Sequence, residues 1–227
     1  MFNSIDIEIN SNCNFKCPYC PNHKYSRLVE YMDKNLFAYI LKQLGDLGFN
    51  GRVSPNLYNE PTLHPRFVEY MEMIKKNVPD CKLVVYSNGS RLGSGMYYRM
   101  HGIVDEWKVT KHPEFKRQFF VKSPQSDIFL RKFDETYILH NRCGTVDHPL
   151  AKKKPDRCFA DLDAMYVNFK GDVVVCCNDF KAEHTVGNAM EEPLHDLWLK
   201  AEHEKKKIRN GDFDNPACKK CNCVTGE

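Results

Sequence analysis

No run of about 18 apolar residues interrupts the 227-residue sequence, so nothing in it is long enough to cross a membrane as a helix. The N-terminus shows no basic, apolar and small-residue order of a secretion signal; it passes straight into a strand pattern. Charge of one sign is scarce as well. Thirty-three Lys and Arg stand against 30 Asp and Glu, and the net charge of +3 is too small to imply a nucleic-acid or membrane partner by itself. There is no internal repeat and no long low-complexity tract. These absences lead to the expectation of a cytoplasmic protein with neither nucleic acid nor membrane as partner.

Cysteine, in contrast, is abundant. Eleven cysteines without an export signal argue against a disulfide scaffold, because the cytosol keeps thiols reduced, and they argue for metal. Cys13, Cys17 and Cys20 lie at the front, and Cys158, Cys176, Cys177, Cys218, Cys221 and Cys223 at the back, with Cys81 and Cys143 alone between. Two clusters at two ends suggest two metal sites.

Between them the chain alternates strand and helix patterns. Ile5-Asp6-Ile7-Glu8-Ile9 reads as a strand. Asp33 caps a helix carrying Leu36, Tyr39, Ile40, Leu44 and Leu47, ended by Gly48 and Gly51. Further strand patterns cover 52–58, 82–86, 104–109, 127–130 and 136–139; helix patterns place Phe67, Tyr70, Met71 and Ile74 on one face and cover 96–100 and 115–120. Such alternation implies parallel pairing through right-handed crossovers. Polar, Gly or Pro residues follow the strands at their C-terminal ends, where parallel sheets place their sites. About six units are too few for a closed eight-fold barrel. The expected fold is α/β, a partial (β/α)6 barrel over residues 1–150 with a smaller module over 151–227. In that module 164–169 and 172–176 form a hairpin turned by Lys170-Gly171, and a helix near 194–208 carries Leu194, Leu197, Trp198 and Ala201 on one side.

The most informative stretch is Cys13-Asn14-Phe15-Lys16-Cys17-Pro18-Tyr19-Cys20. Three thiolates on one short loop can hold three irons of a cubane cluster and leave the fourth open; structural zinc usually takes four protein ligands. This C-x3-C-x2-C spacing resembles the signature of the radical SAM superfamily. The resemblance implies a 4Fe–4S cluster whose open iron binds S-adenosyl-L-methionine (SAM), reductive cleavage of SAM to a 5′-deoxyadenosyl radical, and abstraction of a substrate hydrogen atom. It places Tyr19 near the adenine. Tyr58-Asn59-Glu60-Pro61 looks like a variant of the family's Gly-Gly-Glu motif, with Glu60 toward the SAM amino group and Asn59 where a small residue is usual. Ser87 and Asn88 resemble the ribose- and carboxylate-contacting positions, although they also suit an ordinary turn. Thr110 and His112 end a later strand on the same side, where His112 is a candidate contact for SAM or substrate.

At the back, Cys158, the Gly171-x4-Cys176 hairpin, Cys218 and Cys221 offer four thiolates. Spacing alone does not separate a cubane from structural zinc. The pattern resembles the twitch module, a shortened SPASM domain holding an auxiliary 4Fe–4S cluster. Gly187-Asn188 before Leu194 and Trp198 fits the same module; Cys177 and Cys223 are surplus.

The whole layout is similar to the twitch-bearing radical SAM dehydrogenases that oxidise an aminocyclitol alcohol, including Asn141-Arg142-Cys143-Gly144. That resemblance sets Arg142 near the substrate as anchor or proton acceptor; because Arg is almost never deprotonated, the anchor role is the easier one. Cys143 stands where those dehydrogenases have Gly. A thiol facing substrate can return a hydrogen atom, as in radical SAM epimerases and peptide-modifying relatives. The leading expectation is therefore an oxidoreductase acting on an alcohol or amine carbon of an amino-sugar or cyclitol-like molecule, with the auxiliary cluster taking the second electron and flavodoxin or ferredoxin supplying reductant. An epimerase or peptide maturase using Cys143 is the alternative. The chain's start at the first strand, without a leader-binding domain, favours a small substrate. A non-catalytic metal-binding module, which would not cleave SAM, is the third reading.

Overall fold

The structure is a computed structural model and describes residues 2–111, 126–130, 134, 136, 138–153, 158 and 160–225. One eight-stranded sheet organises it, in the order β5-β4-β3-β2-β1-β6-β7-β8. The strands are β1 (Ser4–Ile7), β2 (Arg52–Ser54), β3 (Lys82–Ser87), β4 (Glu106–Lys111), β5 (Ser126–Leu130), β6 (Ala164–Val167), β7 (Asp172–Val174) and β8 (Thr185–Asn188). Strands β1 to β6 pair in parallel, and β7 and β8 antiparallel. Among the described residues the sheet has two edges, β5 and β8, and does not close into a barrel.

The sixth parallel strand is not the one the sequence indicates. Thr136 lies in a turn, and Ile138 and Leu139 in irregular backbone. Leu139 bonds the Leu150 carbonyl instead of a ladder, and its own carbonyl accepts from Asn222. The place beside β1 is taken by β6, in the register Ser4↔Ala164 to Ile7↔Val167. Ala164, Met165, Tyr166 and Val167 are all buried, the continuous apolar run that a parallel strand covered on both faces requires. The helix read at 115–120 lies outside the described residues.

Helices α1 (Lys34–Asp46), α2 (Phe67–Asn77), α3 (Ser94–Met100) and α4 (Leu194–Arg209) complete the fold. The Asp33 side chain caps α1, accepting from Asn35 N at 2.8 Å and Leu36 N at 3.2 Å. Leu36, Phe37, Ile40, Leu41 and Leu44 form its buried face, while Tyr39 is 41% exposed. Gly48, at φ +60°, takes the left-handed position past the helix end. Gly51 serves another purpose: a Cβ there would lie 2.2 Å from the Asn3 carbonyl, so only glycine lets β2 start against β1. On β1 and its extension, Ile5, Ile7 and Ile9 have no exposed surface, which contributes about 2 kcal/mol each. Asp6 and Glu8 project from the opposite side of the pleat. Among the described residues no helix is long and apolar enough to cross a membrane.

A lysine is part of this core. Lys205 on α4 is fully buried; its Nζ donates to the Ala164 carbonyl at 2.5 Å and lies 4.5 Å from the Trp198 ring centroid. Burial pulls its ammonium down to about 8 from an ordinary 10.5. Between those values the unfolded chain binds more protons than the folded one, so stability rises with pH. The expected gain across that window is about 3 kcal/mol. It is read as the difference in unfolding free energy between the wild type and Lys205→Met, and a pH-independent difference would contradict the assignment.

Candidate functional site

The cysteine loop begins where β1 runs out. Cys20 N bonds the Cys17 carbonyl at 2.9 Å, folding the loop on itself. Asn14 ties it across to the end of β3, donating to Ser90 Oγ at 2.9 Å and accepting from Asn88 Nδ2 at 3.0 Å. Cys13, Cys17 and Cys20 all line one cavity of about 280 Å³, and none of the eleven cysteines is in a disulfide. Burial pushes the Cys13 thiol up to about 11. Three thiols converging on one cavity are a soft-metal donor set, and a metal bound there would displace their protons.

The other walls come from the ends of β2, β3 and β4. Glu60, 1% exposed, ties two of them together. Its Oε1 accepts from Thr62 Oγ1 at 2.6 Å, Thr62 N at 3.3 Å and Ser87 Oγ at 2.8 Å; its Oε2 accepts from Asn88 N at 2.6 Å. Burial raises the Glu60 carboxyl while these donors lower it, and the net is upward. Oε1 is saturated, and Oε2 keeps a lone pair for a cation. The Asn59 side chain is committed to its own loop, donating to Asn10 Oδ1 and the Pro55 carbonyl and accepting from Leu57 N. Ser87 Oγ accepts from Gly89 N at 2.9 Å while donating to Glu60. Tyr19, Asn59, Ser87, Asn88 and Thr110 all line the cavity. His112 lies outside the described residues.

Arg142 and Cys143, neighbours in sequence, part ways. Arg142, Cys143 and Gly144 have φ of +48°, +51° and +80°, a left-handed turn whose two non-glycine residues cost roughly 1 kcal/mol or more each. Arg142 lines the first cavity. Its Nη1 donates to Asn178 Oδ1 at 2.5 Å, its guanidinium stands 5.9 Å from the Tyr58 ring centroid, and its buried Nε has no hydrogen-bond partner. No carboxylate pairs with it among the described residues. Cys143 is absent from that cavity; it lines a second one and touches Cys221.

Among the cavity residues that escaped the sequence reading, two carry chemistry of their own. Asp6 bonds Arg52 at 2.7 Å, yet burial outweighs the arginine and holds its carboxyl up at about 7. The visible signal was an acid inside an isoleucine alternation. Cys177 is the surplus thiol that faces this cavity. Its carbonyl accepts from the Tyr58 hydroxyl at 2.6 Å, and no spacing rule points to it.

The second cavity gathers Cys158, Cys176, Cys218 and Cys221, brought from a loop, the end of β7 and a turn at Cys218–Lys220. Cys143 and Cys223 line it too. Converging thiols with no disulfide among them fit an iron–sulfur cluster. Trp198, 5.2 Å from the Phe2 ring, is core.

Comparison with known proteins agrees with both sites. A model of the radical SAM superfamily matches residues 7–106, and SPASM, an iron–sulfur cluster-binding domain, matches residues 158–222. The S-adenosyl-L-methionine-dependent 2-deoxy-scyllo-inosamine dehydrogenase of Niallia circulans is 29% identical over 238 residues, covering 99% of this chain and 94% of that protein. The crystal structure of BtrN in complex with AdoMet and 2-DOIA superposes with a TM-score of 0.85 at 27% identity, over 100% of this chain and 95% of that one. BtrN in an open conformation gives 0.76 at 25% identity, over 100% of this chain and 94% of that one. With both cysteine sets inside matched domains, the chain carries a radical SAM domain over residues 7–106 and, behind it, a SPASM iron–sulfur cluster-binding domain over residues 158–222, the make-up of a SAM-dependent iron–sulfur enzyme.

Proposed function

We propose that this enzyme is a dehydrogenase, oxidising an alcohol or amine carbon of a small amino-sugar or aminocyclitol-like molecule. The observation that carries the reading is the first cavity, where the three leading thiols share walls with Asp6 and Arg142. The similarity to a 2-deoxy-scyllo-inosamine dehydrogenase supports the substrate class.

Cys13, Cys17 and Cys20 would hold three irons of the first cluster; Cys158, Cys176, Cys218 and Cys221 would hold the auxiliary cluster. Tyr19, Glu60, Ser87, Asn88 and Thr110, together with the Asn59 backbone, would bind SAM, with Glu60 Oε2 offered to its amino group. His112 belongs to this set on sequence alone. The same proposal divides the chain into a radical SAM domain over 1–150 and an auxiliary domain over 151–227, with β6 of the latter completing the sheet beside β1. A flavodoxin- or ferredoxin-type donor would supply reductant in the cytoplasm.

When bound, these cofactors supply a 5′-deoxyadenosyl radical that removes a hydrogen atom from substrate and an auxiliary cluster that accepts the second electron. The chain's residues do the rest. Oxidising C–OH to C=O also releases the hydroxyl proton, and the Asp6 carboxylate, held near 7, is placed to accept it. Arg142 stays a cation: Tyr58 and the thiols of Cys177, Cys20 and Cys176 outweigh the cost of burial and raise its pKa. It anchors the substrate oxygen without taking a proton. The peptide joining Cys177 to Cys176 runs from the first cavity to the second, a covalent route for the electron.

The proposal is tested with anaerobically reconstituted enzyme and a panel of aminocyclitols and amino sugars. The expected products are 5′-deoxyadenosine and a substrate oxidised by two electrons. Solvent deuterium in recovered substrate would show instead that a thiol returns a hydrogen atom, Cys177 being the described thiol at this cavity outside the proposed ligand sets. Replacing Cys13, Cys17 and Cys20 by Ala lowers iron from about eight to about four per chain and abolishes deoxyadenosine. Retention of either would remove the cluster assignment. For Asp6 the base form is needed, so turnover rises with pH through about 7. Asp6→Asn lowers it by about 10²-fold and flattens that limb, with deoxyadenosine formation in the absence of substrate unchanged.

A further inference from the structure

The second cavity holds two thiols more than a cubane takes. Besides the four proposed ligands, Cys143 and Cys223 line it. Neither stands apart. Cys143, Cys221 and Cys223 pack in one buried cluster, with Cys158 against it. Behind Cys223 stands His140, its Nδ1 3.8 Å from Cys223 Sγ, and the ligand atoms of His140, Cys221 and Cys223 lie within 4.8 Å of one another.

The backbone is spent on this arrangement. Cys143 reaches Cys221 only because the turn through Arg142 and Cys143 is left-handed, a conformation side chains other than glycine rarely take. The turn is clamped to the Cys218–Cys223 segment by a reciprocal pair, Asn141 N to Asn222 Oδ1 at 3.1 Å and Asn222 N to Asn141 Oδ1 at 3.0 Å. Asn141 Nδ2 also donates to the Lys220 carbonyl at 2.8 Å, and Thr145 Oγ1 to the Arg142 carbonyl at 2.6 Å. A loop that served only to bring Arg142 to the first cavity would have no need of a thiol on its other face.

We propose that Cys143 and Cys223 are not cluster ligands but S–H donors to the ligand sulfurs of the auxiliary cluster, and that they raise the potential at which it accepts the substrate's electron. A hydrogen bond to a ligand sulfur draws electron density from it and favours the cluster's more negative, reduced state. Cys143 packs beside Cys221, and Cys223, with its single S–H, lies in the same cluster beside Cys221 and Cys158. His140, against Cys223, orients the second thiol. The inference rests on the reading of Cys158, Cys176, Cys218 and Cys221 as ligands, and makes the two surplus thiols positioning residues for the oxidation.

The test uses the full chain with Cys13, Cys17 and Cys20 replaced by Ala, so that only the auxiliary cluster contributes signal. Into it go Cys143→Ala, Cys223→Ala, both together, and Cys143→Ser. After anaerobic reconstitution, iron and sulfide content, the electron paramagnetic resonance of the reduced cluster and its reduction potential are measured. Each Ala variant is expected to keep about four irons and to shift the potential downward, the double variant further. Cys143→Ser, which keeps a donor, stays near the parent. Loss of iron in either single Ala variant would make that thiol a ligand and overturn the proposal, as would an unchanged potential in both. If the parent itself binds no cluster, the ligand assignment falls first and this inference with it.

Discussion

One buried carboxylate holds the first site together. Glu60 takes four hydrogen bonds, from Thr62 on its own side and from Ser87 and Asn88 at the end of β3. A buried carboxylate is tolerated only when its lone pairs are occupied, so the ends of β2 and β3 cannot separate without exposing an unsatisfied charge. Asn88, fixed through its backbone by Glu60, reaches with its side chain to Asn14 and the Cys13 sulfur. The cysteine loop is thereby referenced to the sheet through a carboxylate that neither belongs to it nor lies next to it in sequence.

The interior around this site is unusually charged, and each charge is answered differently. Glu8 is bidentate to Arg27 at 2.8 and 3.0 Å and also caps Tyr58 N. Asp6 has Arg52 but remains open to the cavity. Among the described residues Arg142 has the Asn178 amide and the Tyr58 ring face and no carboxylate. That gradation runs from a closed pair to a cation without a carboxylate among the described residues: a satisfied pair builds the wall, and the proposed function draws on the groups left open.

The two thiol sets communicate through two short pieces of backbone. Cys176 and Cys177 put neighbouring side chains into different cavities, and Arg142 and Cys143 do the same from the other side. Cys176 and Cys177 do so where the chain turns just past β7, and Arg142 and Cys143 do so through left-handed dihedral angles. Either way the first cavity and the second thiol set are only one peptide apart.

Much of this was legible in the chain. Three thiols within eight residues form a cluster loop whatever the rest of the fold does, because their spacing is local. The Asp33 cap, the buried face of α2 and the hairpin at Gly171 were equally local and stand as read. Sequence did not determine which residues distant in the chain would share a cavity. That β6 and not 136–139 lies beside β1 depends on which segment can bury both faces. That Asp6 enters the cavity depends on the pleat of a strand already placed in the sheet. That Cys143 turns away from the cavity Arg142 enters goes with the handedness of a turn clamped by Asn222, about eighty residues away. Local spacing decides which atoms can bind a metal together; only packing across the sheet decides what those atoms face.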